Sequence, residues 1–167
     1  MAFPLLPTFR ADALTDIPGY FFHQQGVRLL MLDFDNTIVP YTTDTPTPQM
    51  TAWLARMNDS GVILCVVSNS KNDRVKRFCE KYGLHCITRA KKPFSKGIRE
   101  CLRKFDCKPE EALLVGDQIY TDTLGGNLCG VRTVLVKSIH NHHFWLKLRH
   151  VAELPFIYFA RNRRITK

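Results

Sequence analysis

The sequence predicts an α/β protein in which a parallel β-sheet is covered by helices on both faces. Short, mostly apolar runs alternate along the chain with amphipathic stretches. Continuous apolar runs are typical of strands that are buried on both faces, and their helical connections should form right-handed crossovers. The expected architecture is therefore a Rossmann-like sandwich of three layers. A chain of 167 residues is long enough to bury such a core in one domain.

The alternation divides the chain into five predicted strands and four predicted helices. The strands are residues 27–32, 62–67, 84–88, 112–115 and 131–136. The helices are residues 49–58, 71–82, 95–105 and 121–129. Thr47 is a suitable N-cap before Pro48, and Gly83 and Gly130 are suited to end two of the helices.

Three segments of the chain differ in character. Residues 1–26 form an N-terminal extension that we expect to pack on the core, which comprises residues 27–137. Residues 138–167 form a tail that mixes aromatic and basic residues. Its histidines fit a polar loop better than a metal site: His140, His142 and His143. The mixture suits an anionic membrane surface, RNA, or a terminal helix that packs on the core.

An excess of basic residues narrows the range of partners. Lys and Arg outnumber Asp and Glu by 24 to 15, which gives a formal charge of +9. This excess of positive charge favours phosphate esters, nucleic acid or anionic lipid as partners. The alternative is that the charge only keeps the protein soluble. We find no secretory signal and no apolar stretch long enough to cross a bilayer, so we expect at most peripheral membrane contact.

The six cysteines favour a reduced, cytoplasmic environment. None belongs to a Cys-x-x-Cys pair, which disfavours a zinc site. Cys65 lies in an apolar run and Cys79 lies in a predicted helix, so we expect both to be small core residues. A cytoplasmic location is the expectation that fits this cysteine usage best.

Polar side chains mark the ends of three predicted strands. Asp33, Ser68 and Asp117 should share one edge of the sheet, where ligands of parallel sheets bind. Asp35 follows Asp33 by two residues and should lie on the same face of an extended chain. Two carboxylates this close need a cation or a shared proton, and magnesium prefers such oxygen ligands. The alternative is an Asx turn that closes the strand.

Three further features complete an ordered set of polar groups. Asn69 adds an amide after the second of these strands, although Ser-Asn also begins ordinary loops. Lys91 and Lys92 precede a predicted helix, where a lysine can neutralise phosphate or simply face solvent. Asp122 lies near a helix start, either as a metal ligand or as a residue favoured by the helix dipole. Each feature alone is weak, but the ordered set is specific.

In this order the motifs resemble those of the haloacid dehalogenase (HAD) superfamily of phosphotransferases, over residues 27–136. DFDNT is similar to the first motif, Ser68 to the second, Lys92 to the third and GDQIYTD to the fourth. The longer strings DFDNTIVPY, SNS, AKKP and VGDQIYTDTLGGN look like the YqeG subgroup of subfamily IIIA. That subgroup also resembles fungal mitochondrial phosphatidylglycerophosphate phosphatases. The resemblance implies an HAD-like phosphatase core.

The resemblance also implies roles for individual residues. Asp33 would attack phosphorus and form an aspartyl-phosphate, while Asp35 would protonate the leaving alcohol and then activate water. Phosphate binding would fall to Thr37, Ser68, Asn69 and Lys92. Magnesium would be bound by Asp33, the Asp35 backbone carbonyl, Asp117 and Asp122. Phosphatases and mutases of the superfamily carry Asp at the position that Asp35 matches, whereas the ion pumps of the superfamily carry Thr there.

The gaps between the motifs leave no room for a cap domain. Residues 38–46 form one gap, and residues 69–91 hold about one helix and one strand. The expected open site suits a large substrate such as a protein, a nucleic-acid end or a lipid headgroup, unless loops or a partner subunit close over a small one.

The predicted function is a magnesium-dependent phosphatase, with phosphatidylglycerophosphate as a candidate substrate. The alternative is a non-enzymatic RNA- or ribosome-associated protein with a vestigial site.

Overall fold

The computed structural model describes residues 4–71, 73–139, 155–160 and 163–165. These residues contain one parallel sheet of six strands in the order β1-β6-β5-β2-β3-β4. The strands are β1 (Phe9–Arg10), β2 (Leu29–Leu32), β3 (Ile63–Val67), β4 (His85–Ile87), β5 (Ala112–Gly116) and β6 (Arg132–Leu135). The five predicted strands are all present, and the predicted fold class is confirmed.

Helices connect and cover these strands. They are α1 (Gly19–Gln24), α2 (Pro48–Asn58), α3 (Arg74–Tyr82), α4 (Lys96–Lys104) and α5 (Leu124–Leu128). The predicted helix 121–129 differs in detail, because a π-helical turn at Ile119–Thr123 precedes the regular α5. Short 3-10 turns lie at Leu14–Asp16 and Pro109–Glu111. Residues 155–159 form a further helical turn.

Two of the predicted helix boundaries have the expected physical cause. The Thr47 hydroxyl accepts a hydrogen bond from the Met50 amide at 3.2 Å, which caps the first turn of α2. Gly83 ends α3 with a φ of 65°, in the left-handed conformation that glycine adopts without a steric penalty.

The central strand β2 is buried on both faces, so its side chains divide the core into two layers. Leu30 and Leu32 face one cluster, which also contains Phe22 of α1, Trp53 of α2 and residues of α3. Leu29 and Met31 face the other cluster, which contains residues of α4 such as Ile98. Cys65 and Cys79 are buried in this core as predicted, and all six cysteines are free.

The N-terminal and C-terminal segments meet at the β1 edge of the sheet. β1 pairs with β6 through the register of Phe9 with Val134. The described part of the tail returns to this edge, where the Ile165 amide donates to the Arg10 carbonyl at 2.7 Å. Arg163 Nη1 donates to the Pro7 carbonyl at 2.9 Å, and Arg164 pairs with Asp12. These arginines therefore contribute to packing at the end of the chain.

Other expectations for the tail fall on residues 140–154 and 161–162, which lie outside the described residues. They include the histidine cluster and the aromatic residues around Trp145. Among the described residues, the helices are too short or too polar to span a bilayer.

The connections that follow β2 and β3 are short. A loop of residues 33–47 leads from β2 to α2, and α3 is the one described helix between β3 and β4. Neither connection carries an inserted cap domain among the described residues, as predicted. In the part of the chain that the structure describes, the connections at the carboxyl edge that follow β2 and β3 are therefore loops and one helix rather than an inserted domain.

The contact of Arg163 with the N-terminal segment predicts a small loss of stability on substitution. Arg163→Gln removes the bond to the Pro7 carbonyl and should lower the free energy of unfolding by about 0.5–1.5 kcal/mol. Urea unfolding would measure this, with Arg103→Gln on the exposed face of α4 as the matched control. Equal stability of the two variants would show that the contact contributes nothing to folding.

Candidate active site

The candidate site lies where three neighbouring strands end. β2 lies between β3 and β5, so Asp33 at the end of β2 is central. Ser68 follows β3 on one side and Asp117 follows β5 on the other. The parallel register pairs Leu32 with Val66 and Val115, which places the three strand ends at the same height.

A buried lysine joins this edge to the loop after β4. Lys92 Nζ lies 2.6 Å from Asp33 Oδ1 and 2.6 Å from Asp122 Oδ1, and its side chain is 1% exposed. Burial alone would lower the pKa of Lys92, but attraction by Asp122 and Asp33 outweighs it and raises the pKa above the ordinary value. The Lys92 side chain is therefore a fixed positive charge at neutral pH.

The backbone of Lys92 is held by the loop after β3. Asn69 Nδ2 donates to the Lys92 carbonyl at 2.9 Å, and the Lys92 amide donates to Asn69 Oδ1 at 2.6 Å. Both ends of the Asn69 amide are thus engaged in positioning Lys92. Ser68 is buried beside it, and its hydroxyl accepts a hydrogen bond from the Ser70 amide at 3.1 Å.

Three carboxylates form an acidic cluster around Lys92. One oxygen from each of Asp33, Asp117 and Asp122 lies within 4.8 Å of the others, and all three residues are buried. Asp117 Oδ1 is buried without a hydrogen-bond partner among the described residues. One ammonium against three carboxylates leaves a deficit of two positive charges when all are ionised. The donor set therefore fits a hard divalent cation.

The pKa shifts in the cluster reflect burial first and repulsion between the carboxylates second. Burial, followed by repulsion from Asp33 and Asp122, raises the pKa of Asp117 to about 8. Burial also raises the pKa of Asp122 to about 6, although Lys92 opposes the change. In the absence of a cation, these groups therefore hold protons more tightly than ordinary aspartates.

A glycine makes room for the Asp122 carboxylate. A Cβ at Gly116 would lie 2.3 Å from Asp122 Cγ and Oδ2, far inside van der Waals contact. The same carboxylate accepts a hydrogen bond from the Gln118 amide at 3.2 Å. The sequence Gly116-Asp117 therefore serves two purposes, since the glycine admits one carboxylate and the next residue supplies another.

The first motif separates its two carboxylates by their partners. Thr37 Oγ1 donates to Asp33 Oδ2 at 3.4 Å, so Asp33 is held by Thr37 and Lys92. The half-buried Asp35 instead forms an ion pair with Arg74, whose Nη1 lies 3.0 Å from Asp35 Oδ1. Burial raises the pKa of Asp35, while Arg74 opposes the rise and Asp33 adds to it.

Comparison with known proteins identifies the family. A family model described as HAD-hydrolase-like matches residues 89–148. The Probable phosphatase YqeG of Bacillus subtilis is 36% identical over 116 residues, which cover 70% of this chain and 67% of that protein. This chain belongs to the HAD family of phosphatases. The predicted resemblance to the HAD superfamily and its YqeG subgroup is confirmed.

More distant phosphatases resemble this chain in sequence or in fold. The glyceraldehyde 3-phosphate phosphatase of Pyrococcus furiosus is 27% identical over 146 residues, covering 82% of this chain and 56% of that protein. This chain thus spans little more than half the length of that archaeal relative. The cobalt-bound form of deoxy-D-mannose-octulosonate 8-phosphate phosphatase from Haemophilus influenzae superposes with a TM-score of 0.54 at 10% identity, covering 82% of this chain and 91% of that one. This second likeness shows the fold.

The HAD motifs surround one cavity of about 470 Å³. Its lining includes side chains that sequence analysis singled out: Asp33, Asp35, Ser68, Asn69 and Lys92. It also includes residues of the same motif strings to which the sequence analysis assigned no role: Asn36, Tyr41, Ser70, Gln118 and Thr121. Thr37, Asp117 and Asp122 lie behind this surface and contact Asp33, Lys92 or the acidic cluster.

Sequence reasoning missed Arg74, the partner of Asp35. This arginine is the first residue of α3 and belongs to a strongly basic stretch, KNDRVKR. Nothing in that stretch distinguishes Arg74 from the exposed Lys76 and Arg77 around it. The one available signal was its position shortly after the SNS motif, which faces the active site.

The close approach at Gly116 predicts that Gly116→Ala displaces the Asp122 carboxylate. Divalent cation binding should weaken by about 10–100-fold, the range seen when residues that orient metal ligands are changed. Calorimetric titration would measure the affinity. Gly19→Ala is the matched control, because a Cβ there would meet only Met57 Sδ at 3.8 Å. Unchanged affinity in Gly116→Ala would contradict the arrangement.

The raised pKa values of Asp117 and Asp122 predict how stability depends on pH in the cation-free protein. An acid whose pKa rises on folding binds more protons in the folded state, so the free energy of unfolding falls as pH increases. The fall should extend from the ordinary aspartate pKa of 3.8 to about 8. Urea unfolding in EDTA at about pH 5.5 and 8.5 would measure it. Asp117→Asn should flatten the slope, and greater stability at the higher pH would refute this assignment.

Proposed function

We propose that this HAD phosphatase hydrolyses phosphate monoesters with magnesium, through a phosphorylated Asp33. The observation that carries the proposal is the Asp33 carboxylate at the cavity surface, in contact with the Lys92 ammonium and within the acidic cluster. The nucleophile, a fixed cation and oxygen ligands for a metal thus occur at one point.

In the first step, an Asp33 oxygen forms a bond to phosphorus while the bond from phosphorus to the ester oxygen breaks. Asp35 donates its proton to that departing oxygen, so the product alcohol leaves neutral. Lys92 stabilises negative charge on the phosphoryl oxygens, and Ser68 and Thr37 contribute hydroxyls near it. The raised pKa of Asp35 favours its protonated form before this step.

In the second step, water attacks the phosphorylated Asp33. Asp35 takes a proton from the water as its oxygen bonds to phosphorus, and the bond from phosphorus to Asp33 breaks. Inorganic phosphate and the free Asp33 carboxylate result, and Asp35 is again protonated. The same residue thus serves both steps.

Magnesium would be held by Asp33 and Asp117, with Asp122 and the Asp35 carbonyl in support. When bound, it would supply Lewis-acid stabilisation of the transferring phosphoryl group. The oxygen-only donor set and the charge deficit of the acidic cluster support this choice over a softer metal.

The identity of the alcohol is a separate proposal. The resemblance to phosphatidylglycerophosphate phosphatases supports a phospholipid headgroup, and the cavity without a described cap is compatible with it. The archaeal relatives named glyceraldehyde 3-phosphate phosphatase support a small sugar phosphate instead. Phosphate release from phosphatidylglycerophosphate vesicles and from glyceraldehyde 3-phosphate, measured side by side, would separate the two.

Peripheral membrane contact follows from the lipid hypothesis, whereas the proposed cytoplasmic location rests on the cysteine usage. The packing of Arg163 and Arg164 against the N-terminal segment removes part of the tail's expected role in binding anions. The non-enzymatic RNA- or ribosome-associated alternative is favoured by no observation on the described residues. It does not explain why a cation, a nucleophile and metal ligands converge on one cavity.

The proposal predicts that Asp33→Asn abolishes phosphate release from an aryl phosphate, a loss of at least about 10³-fold. Asp59→Asn is the matched control, because Asp59 is exposed at the end of α2. Wild-type protein should be inactive in EDTA and recover when magnesium is added. Turnover by Asp33→Asn near the wild-type rate would reject the covalent mechanism, and full activity in EDTA would reject the metal.

A further inference from the structure

Arg74 lies at the junction of α3 and the loop that carries the first motif. Its side chain is only 12% exposed, although it begins a helix on the surface. Besides the ion pair with Asp35, its Nε donates to Asp44 Oδ1 at 2.6 Å. One guanidinium therefore bridges two carboxylates that are nine residues apart.

The guanidinium also binds the backbone between those two carboxylates. Nη1 donates to the Tyr41 carbonyl at 3.0 Å, and Nη2 donates to the Thr43 carbonyl at 3.0 Å and the Pro40 carbonyl at 3.4 Å. The guanidinium carbon, Cζ, lies 5.0 Å from the centre of the Phe34 ring and 5.6 Å from the centre of the Tyr41 ring. The whole loop of residues 35–44 thus closes around one side chain.

The first half of this loop is held by the buried Ile38 and Val39 and by hydrogen bonds from their amides to the Phe34 carbonyl. Residues 40–44 are exposed or only partly buried. The helix α3, by contrast, is anchored in the core through Val75 and Phe78. Arg74 therefore ties the loop to a helix that is packed in the core. A guanidinium can do this because its planar fork of N–H donors binds several acceptors at once.

The loop places two of the side chains that line the cavity. Asp35 lines the cavity, and its Oδ1 lies 3.0 Å from Arg74 Nη1 in an ion pair. Tyr41 is exposed at the cavity wall, while its amide is held by Asn36 Oδ1 at 3.2 Å. Both side chains line the same cavity as Asp33, the proposed nucleophile.

We propose that Arg74 is a positioning residue for the phosphatase reaction. It directs the Asp35 carboxylate toward the ester oxygen of the substrate. The inference rests on the proposed function, in which Asp35 is the general acid. It assigns Arg74 no contact with the phosphoryl group, so Asp33, Lys92 and the acidic cluster should work without it.

This role predicts a dependence on the leaving group. Alkyl phosphates need a well-placed proton donor, whereas p-nitrophenolate departs with little assistance. Arg74→Met should reduce kcat by about 10–100-fold for an alkyl phosphate, since misplacing a catalytic group by about 1 Å costs up to about 10²-fold. The loss with p-nitrophenyl phosphate should be less than about threefold, and magnesium affinity should be unchanged.

The deciding experiment is a double-mutant cycle of Arg74→Met with Asp35→Asn, measured as kcat on both esters. If Arg74 acts through Asp35, Arg74→Met should cost less than about twofold in the Asp35→Asn background. Equal losses with both esters, or full additivity in the cycle, would overturn the inference. Arg77→Met is the matched control, because Arg77 is exposed on the same helix.

Two further outcomes keep the inference separate from the proposed function. Wild-type kcat in Asp35→Asn would reject Asp35 as the acid and leave the Arg74 contacts to be explained as structural. If Arg74→Met fails to fold, Arg74→Lys replaces it in the experiment. Lysine keeps a positive charge near Asp35 but lacks the planar set of N–H donors of a guanidinium. Arg74→Lys should then show the same preferential loss on the alkyl ester, and wild-type rates on that ester would overturn the inference.

Discussion

The structure depends on one buried charge, the ammonium of Lys92. An ammonium removed from water is stable only if anionic partners replace its hydration, and Asp33 and Asp122 do so at 2.6 Å each. Those contacts in turn fix the carboxylate that the proposed mechanism uses as a nucleophile. They also leave Asp117 short of a positive partner, which is the physical basis for expecting a divalent cation. The Lys92 ammonium and the proposed metal site are therefore two parts of one charge balance.

The parallel sheet explains how this balance is assembled from distant parts of the chain. Adjacent strands end at the same height, so residues 33, 68 and 117 meet although they are far apart in sequence. The loops then add the remaining groups, and each depends on a local device. Asn69 holds the backbone of Lys92, Gly116 admits the Asp122 carboxylate, and Arg74 gathers the loop after Asp33. The rigid elements set the positions of the strand ends, and the loops set the positions of the remaining charges.

Sequence reasoning succeeded where periodicity or strand ends carried the information. The buried strands, the helix boundaries at Thr47 and Gly83, and the acidic residues after the strands were all predictable. β1 was not, because two residues show no periodicity and pair only once β6 is in place. The roles of Arg74 and Asn69 were also not predictable. Arg74 binds two carboxylates and three loop carbonyls, and Asn69 binds the backbone of Lys92, and no motif specifies these partners. The sequence shows which side chains are charged, but the partners of each charged side chain depend on the conformation of the folded loops.

The most direct measurement of the central claim is a crystal structure grown with manganese and beryllofluoride, which mimics a phosphoryl group on a carboxylate. The account predicts beryllium bound to an Asp33 oxygen, with Lys92 Nζ in contact with its fluorines. It also predicts an anomalous manganese signal in contact with Asp33 and Asp117. Beryllofluoride bound away from Asp33, or manganese bound without Asp117, would contradict the assignment of nucleophile and metal site.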